Sequence, residues 1–169
     1  MLTQKMQDAL NAQINAELGS AYIYMAMAAY FESKDVPGFA NWMEVQTKEE
    51  LSHAQLLYTY IYSRDGRVEL SAIEAPPKDW KSLLDAFGAA YKHEQYISKR
   101  INDLVVLARK EKDAATENFL QWFIKEQVEE EANAKAIIQQ LKLVGDYGPG
   151  ILMLDREMAA RVFTPPVIA

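Results

Sequence analysis

Residues 49–53 read Glu49-Glu50-Leu51-Ser52-His53. Glu50 and His53 are three apart, so on a helix they share one face and can grip one ion. Apolar residues flank them at four-three steps, the period of a buried helix stripe. The stripe runs Phe39, Trp42/Met43, Gln46, Glu50, His53, Leu57, Ile61, and predicts a helix over about 38–64. A carboxylate and an imidazole in mid-stripe are costly unless something pairs with them. Glu-x-x-His alone is a weak pattern. It gains weight because three other stretches repeat the arrangement.

Upstream, a helix is predicted over about 4–34, with the seam Leu10, Ile14, Glu17, Ala21, Tyr24, Ala28, Phe31. Pro37 favours a fresh start over continuation of that helix, and Asp65-Gly66 is placed to stop the second. Downstream, the third segment, about 82–110, has the seam Leu84, Phe87, Tyr91, Glu94, Ser98, Ile101, Val105, Ala108, with Ser82 and Asp85 resembling a capping box. The fourth, about 113–144, opens on the N-cap candidate Asp113. Its seam is Thr116, Leu120, Phe123, Gln127, Glu130, Ala134, Ile137, Leu141, and Gly145 stops it. After the break Gly148-Pro149-Gly150, a short amphipathic fifth helix is predicted over about 151–162.

Four helices of this length suit a long bundle, since the mean helix has only about 11–12 residues. Residues 65–81 carry no helical period. A second helix of about 40 Å can be retraced by an extended stretch reaching up to about 58 Å. The expected fold is therefore all-α, a single domain over 1–169, with one long crossover and a parallel second and third helix. The two halves look like a duplicated helical hairpin.

The chain has 169 residues, half of them hydrophobic and a quarter charged, as in an ordinary soluble domain. A net charge of -6 argues against nucleic acid. The lack of cysteine excludes disulfides, zinc-thiolate sites, iron–sulfur clusters and thiol nucleophiles. The N-terminus lacks the apolar core of a signal peptide, and the longest apolar run, Ala21–Phe31, is too short for a bilayer. No membrane association and a cytoplasmic location are expected.

Glu17, Glu50 with His53, Glu94, and Gln127 with Glu130 each fall near the middle of a helix, so they meet at one depth. Two unit charges 4 Å apart repel by about 4 kcal/mol at an effective dielectric near 20. Bound divalent cations remove that cost. Carboxylates with one imidazole suit iron(II) or manganese(II), with zinc as a competitor. Glu126, Glu129 and Glu131 read as a solvated face beside Glu130, although Glu49 and Glu126 flank the main ligands and leave room for an extra metal position. His93 is expected at the surface or boundary. Tyr24, Trp42, Trp122 and the methionines fit ordinary packing.

On Gln13-Ile14-Asn15-Ala16-Glu17, Glu49-Glu50-Leu51-Ser52-His53, His93-Glu94 and Glu126-Gln127-Val128-Glu129-Glu130, the chain resembles prokaryotic non-haem ferritins over nearly its full length. Those proteins are the standard case of this bundle and ligand pattern. The resemblance implies a first iron position at Glu17, Glu50 and His53, and a second at Glu94 and Glu130 with Glu50 bridging. It implies that Gln127 contacts the centre as a weak partner. It implies a third iron position at Glu49, Glu126, Glu129 and Glu130, and Tyr24 as the tyrosine beside the centre. It further implies Fe(II) oxidation by O2 or peroxide, iron storage, and a homo-oligomeric 24-subunit shell. Bacterioferritins place a second Glu-x-x-His where this chain has Gln127-x-x-Glu130, and a haem-binding Met where it has Leu51, so no haem is expected. The tail 163–169 matches no motif. Two rivals stay open: a di-metal oxidase acting on an organic substrate, and a structural bundle with vestigial acids.

Overall fold

The computed structural model describes residues 1–166; residues 167–169, the end of the tail that matches no motif, lie outside the described residues. Among the described residues five helices form: α1 Gln4–Glu32, α2 Pro37–Ser63, α3 Leu83–Lys110, α4 Ala114–Val144 and α5 Gly148–Met158. Among the described residues there is no strand, and no helix is long and apolar enough to cross a membrane.

Side-chain caps start three helices. Thr3, Ser82 and Asp113 accept from the backbone N–H of Met6, Asp85 and Thr116, each cap stabilising its helix by about 1 kcal/mol. Pro37 opens α2, where its missing N–H costs nothing. Gly145 stops α4 at φ 57°. At the end of α2 the left-handed residue is Asp65, at φ 55°, and not the neighbouring glycine. Gly66 serves close approach instead: a Cβ there would lie 3.0 Å from the Ile61 carbonyl oxygen.

The crossover climbs along α1. The Arg67 N–H donates to Gln7 Oε1 at 2.8 Å, and Asn11 Nδ2 donates to the Arg67 carbonyl at 3.0 Å. Asn15 Nδ2 then reaches the Ala72 carbonyl at 3.3 Å, and Trp80 meets Tyr30 edge-on near the end of α1. The strap thus returns the chain to the end where α2 began. Phe31, Phe39 and Phe87 meet there, with ring centroids 5.7–5.9 Å apart, so α3 runs parallel to α2 as the loop length required.

The interior is two apolar clusters with a polar belt between them. One end is aromatic, built on Phe31, Phe39, Trp42 and Phe87. The other is mainly aliphatic, built on Leu10, Leu57, Ile61 and Ile101. Each such side chain stabilises the fold by roughly 1.5–3 kcal/mol through burial, and that gain carries the belt of buried Gln13, Glu17, Ser20, Gln46, Glu50, His53, Glu94, Gln127 and Glu130.

The expected seams of α1, α2 and α4 are buried throughout. On α3 the expectation fails in part. Leu84 is exposed, and Tyr91 and Ser98 are only half-buried, while Ala86, Ala90, Ile97 and Leu104 fill the interior. With Phe87, Glu94, Ile101, Val105 and Ala108 these positions make a buried face wider than one stripe.

The fifth helix also departs from the sequence pattern, which placed it over 151–162. Gly148-Pro149-Gly150 is its first turn and no break, because proline is at home there. The helix docks on the start of α2. Asp155 Oδ1 accepts from the N–H groups of Gly38 (2.7 Å) and Phe39 (3.1 Å), capping α2 from outside. Only glycine fits at 38: a Cβ would fall 1.7 Å from the Asp155 carbonyl oxygen.

Candidate metal centre

Each expected main ligand occupies a buried site on its helix, and Glu17, Glu50, His53, Glu94 and Glu130 are all at most 4 % exposed. Glu17 from α1 meets Glu50 and His53 from α2, and one ligand atom from each lies within 4.8 Å of the others. His53 Nδ1 is 3.5 Å from Glu50 Oε2. Trp122 and Phe123 of α4 meet the imidazole edge-on and fix its plane. Glu17 Oε1 accepts from Gln13 Nε2 at 2.8 Å, whereas Glu17 Oε2 is buried with no donor among the described residues and, when protonated, shares its proton with the Glu50 carboxyl. A buried carboxylate oxygen is rarely left unpaired, and its position beside Glu50 and His53 fits a cation.

The far side is arranged differently. Tyr24 Oη donates to Glu94 Oε1, and Gln127 Nε2 donates to Glu94 Oε2 at 3.1 Å. Both oxygens of Glu94 are thereby engaged. Glu94 belongs to neither cluster of converging ligand atoms; Glu130 groups with His53 and the half-buried Glu126, again within 4.8 Å. Glu94, Glu130 and Glu50 are therefore neighbours in the belt but are not gathered on one point. Of the four acids tied to a third position, Glu126 and Glu130 converge with His53, Glu49 is paired with Arg161, and Glu129 is exposed and outside both clusters.

Crowded carboxyls cannot all ionise. Burial, then the charge of Glu50, raises Glu17 from 4.5 to about 8. Burial and Glu130 raise Glu50 to about 8, and burial and Glu94 raise Glu130 to about 8. Glu94 is also pushed well above the carboxylate range, by burial and then Glu50. Burial followed by Glu94 raises the Tyr24 phenol. Glu49 and Glu126, at the rim, are raised mainly by burial. A divalent cation in the belt reverses this pattern by favouring the charged carboxylates. Oxygen ligands with a single imidazole suit iron(II) or manganese(II).

The family model for the ferritin-like domain matches residues 7–144. The chain is a member of the ferritin family. It is 40% identical to a bacterial non-heme ferritin of Bacteroides fragilis over 161 residues, 95% of this chain and 100% of that one. It is similar in structure to an open pore ferritin from the hyperthermophilic archaeon Archaeoglobus fulgidus, with a TM-score of 0.95 at 50% identity, covering 96% of this chain and 100% of that one. A closed form of that ferritin, engineered by site-directed mutagenesis, gives 0.96 at 51% identity, covering 97% and 100%.

This ferritin chain also orients its ligands with residues that the sequence reading left without a role. Gln13 precedes Glu17 by four, and Gln46 precedes Glu50 by four; each amide donates to its carboxylate, at 2.8 and 3.0 Å. Each amide oxygen accepts from a guanidinium, Gln13 from Arg100 Nε and Gln46 from Arg161 Nη1, both at 2.9 Å. Arginine can only donate, so it forces the amide oxygen outward and the NH2 toward the ligand. The four-residue spacing was visible in the sequence; the two arginines were not. His93, expected at the surface or boundary, is half-buried. Its Nε2 is 2.7 Å from Ser20 Oγ, its ring lies edge-on to Tyr24, and burial lowers it to about 4.

Proposed function

We propose that the chain is an iron-storing ferroxidase. The observation that carries this reading is the convergence of Glu17, Glu50 and His53 around a buried carboxylate oxygen that has no hydrogen-bond donor among the described residues. Fe(II) is the substrate. One ion is held by Glu17, Glu50 and His53, and a second by Glu94 and Glu130 with Glu50 shared. Each Fe(II) gives up one electron, and the pair reduces O2 to hydrogen peroxide with uptake of two protons, or reduces peroxide to water. Hard carboxylate oxygens favour Fe(III) over Fe(II), which drives the oxidation.

The residues of the belt have separate tasks. Gln13 and Gln46 aim Glu17 and Glu50. The aromatic collar of Trp122 and Phe123 holds the imidazole. Tyr24 and Gln127 hold Glu94, so the second ion must compete for that carboxylate and is the looser of the two. Tyr24 is placed to supply an electron when only part of the pair is loaded. Product Fe(III) leaves from the looser side and hydrolyses to a ferric oxy-hydroxide in the cavity of a homo-oligomeric shell, which we take to be the 24-subunit form. Glu49, Glu126, Glu129 and Glu130 supply a third iron position. The full-length likeness to bacterial non-heme ferritin and to the open pore ferritin of Archaeoglobus fulgidus supports storage over the two rivals. No haem is bound, in keeping with Leu51 after Glu50, and the protein acts in the cytoplasm without membrane or nucleic-acid partners.

Aerobic Fe(II) loading, followed by sizing and an iron count per particle, tests the whole reading. Hundreds of irons on a very large particle are expected. A monomer or dimer retaining only its paired ions would favour the organic-substrate oxidase, and protein without Fe(II) affinity would revive the structural bundle.

A further inference from the structure

Beyond the family-model match, which ends at residue 144, the chain sends one side chain back into the centre. Arg161 follows α5 in the turn that Asn41 holds, Asn41 Nδ2 donating to the carbonyls of Met158 and Arg161, both at 3.1 Å. From there the guanidinium lies over the Trp42 ring, 4.2 Å from its centroid. Its Nη1 donates to the Trp42 carbonyl at 3.1 Å and to Gln46 Oε1 at 2.9 Å. Its Nη2 lies 2.5 Å from Glu49 Oε2.

This is no loose surface pair. Both side chains are only 19% exposed, and every contact of the fork is fixed by packing or a second acceptor. Charge-assisted bonds of this kind are about twice as strong as neutral ones. The Glu49 carboxylate interacts electrostatically with His53, Glu126 and Glu130. That places a permanent protein cation on the one acid of the group that α2 contributes outside the main pair.

We propose that Arg161 is a positioning residue that holds Glu49 away from a third metal ion, so that filling the third position is a displacement of the guanidinium. The inference rests on the metal centre proposed above. A divalent ion at Glu126, Glu129 and Glu130 gains Glu49 as a ligand only when the Arg161 fork lets go. Docking of α5 thereby sets how tightly the third ion is held, because the helix carries Arg161 into place. The same fork keeps the Gln46 NH2 turned toward Glu50, so the C-terminal segment reaches both the shared ligand and the third position.

The test is an oxygen-free titration of the assembled protein with Co(II), read by calorimetry and by the ligand-field spectrum. Arg161→Met keeps a stem over Trp42 and removes the charge. It should tighten the third binding step about tenfold, the scale of one charge-assisted hydrogen bond, and should not tighten the first two, whose shared Glu50 loses the amide that Arg161 holds in place. Arg161→Lys keeps the charge and should hold the third step near wild type. Adding Glu49→Gln to Arg161→Met should erase the gain. A third step unchanged or weakened in Arg161→Met overturns the inference. In wild-type crystals soaked in Zn(II), a third ion ligated by a Glu49 turned away from Arg161 supports it, and a third ion bound with the pair intact overturns it. Failure of the first two steps in the wild type would sink the metal centre and this inference together. Two sound steps with an unmoved third would sink this inference alone.

Discussion

The two hairpins of the bundle contribute unequal halves to one centre. The α1/α2 hairpin delivers Glu17, Glu50 and His53 to a common point and leaves a carboxylate oxygen without a donor among the described residues. The α3/α4 hairpin delivers Glu94 and Glu130 to the same depth, yet Glu94 is tied on both oxygens and Glu130 leans to Glu126 and His53. A near-duplicated pattern of seam residues thus yields one half ready for a cation and one that must be unlocked. The cause is donor supply. Gln13 and Gln46 each give their Glu one bond, from one turn earlier on the same helix. Glu94 takes two, from Tyr24 on α1 and Gln127 on α4.

The largest expected difference lies in the ligands themselves. Glu17→Ala or His53→Ala should lower first-ion affinity and fast Fe(II) oxidation by at least about a hundredfold, more than typical losses on removing outer-shell partners. Glu94→Ala should leave first-ion affinity within about threefold while losing the second ion. Oxygen-free Fe(II) titration with stopped-flow oxidation reads both. Equal losses in all three variants would mean the halves are not distinct.

Proton release comes next. Glu17, Glu50 and Glu130 sit at about 8 when no cation is held, so at pH 7 they are mostly protonated. Glu94, raised well above the carboxylate range as well, adds to them, so loading should expel roughly three to four protons per subunit, measurable by calorimetry in buffers of different ionisation heat. The sign for stability follows from linkage. These carboxyls bind protons in the folded chain at pH values where the unfolded chain, near 4.5, has lost them. Metal-free stability should therefore fall as pH rises from about 4.5 to 8 and level off above. Added divalent cation should raise the melting temperature most at the upper end. A metal-free protein that gains stability across that window would contradict the crowding of the belt.

The smallest effect tests the tie on Glu94. Tyr24→Phe removes one of its two donors and should tighten the second ion by about fivefold to tenfold, the upper range of one ordinary hydrogen bond. The first ion should not respond. Weaker second-ion binding would show that the phenol helps to hold the ion.

Much of this centre was legible in sequence. Apolar residues at four-three steps located three of the four seams, and an acid interrupting each seam marked the belt. The length of 65–81 gave the crossover and so the parallel α2 and α3. The α3 seam was misread at Leu84, Tyr91 and Ser98, because the pattern marks a single stripe and the buried face of α3 is broader, taking in Ala86, Ala90, Ile97 and Leu104. The start of α5 was misread because Gly148-Pro149-Gly150 punctuates a chain equally well as a break or as a first turn.

The sequence alone determined which side chains share a face on each helix, since 3.6 residues per turn is a local rule that no neighbour can alter. Only the tertiary structure decided which of those acids converge, which are tied up, and that Arg161, 112 residues after Glu49, returns to lie against it. Those outcomes depend on how far apart the helix axes stand and where α5 docks. Both are set by packing between segments remote in the chain, about which a one-dimensional pattern carries no distance.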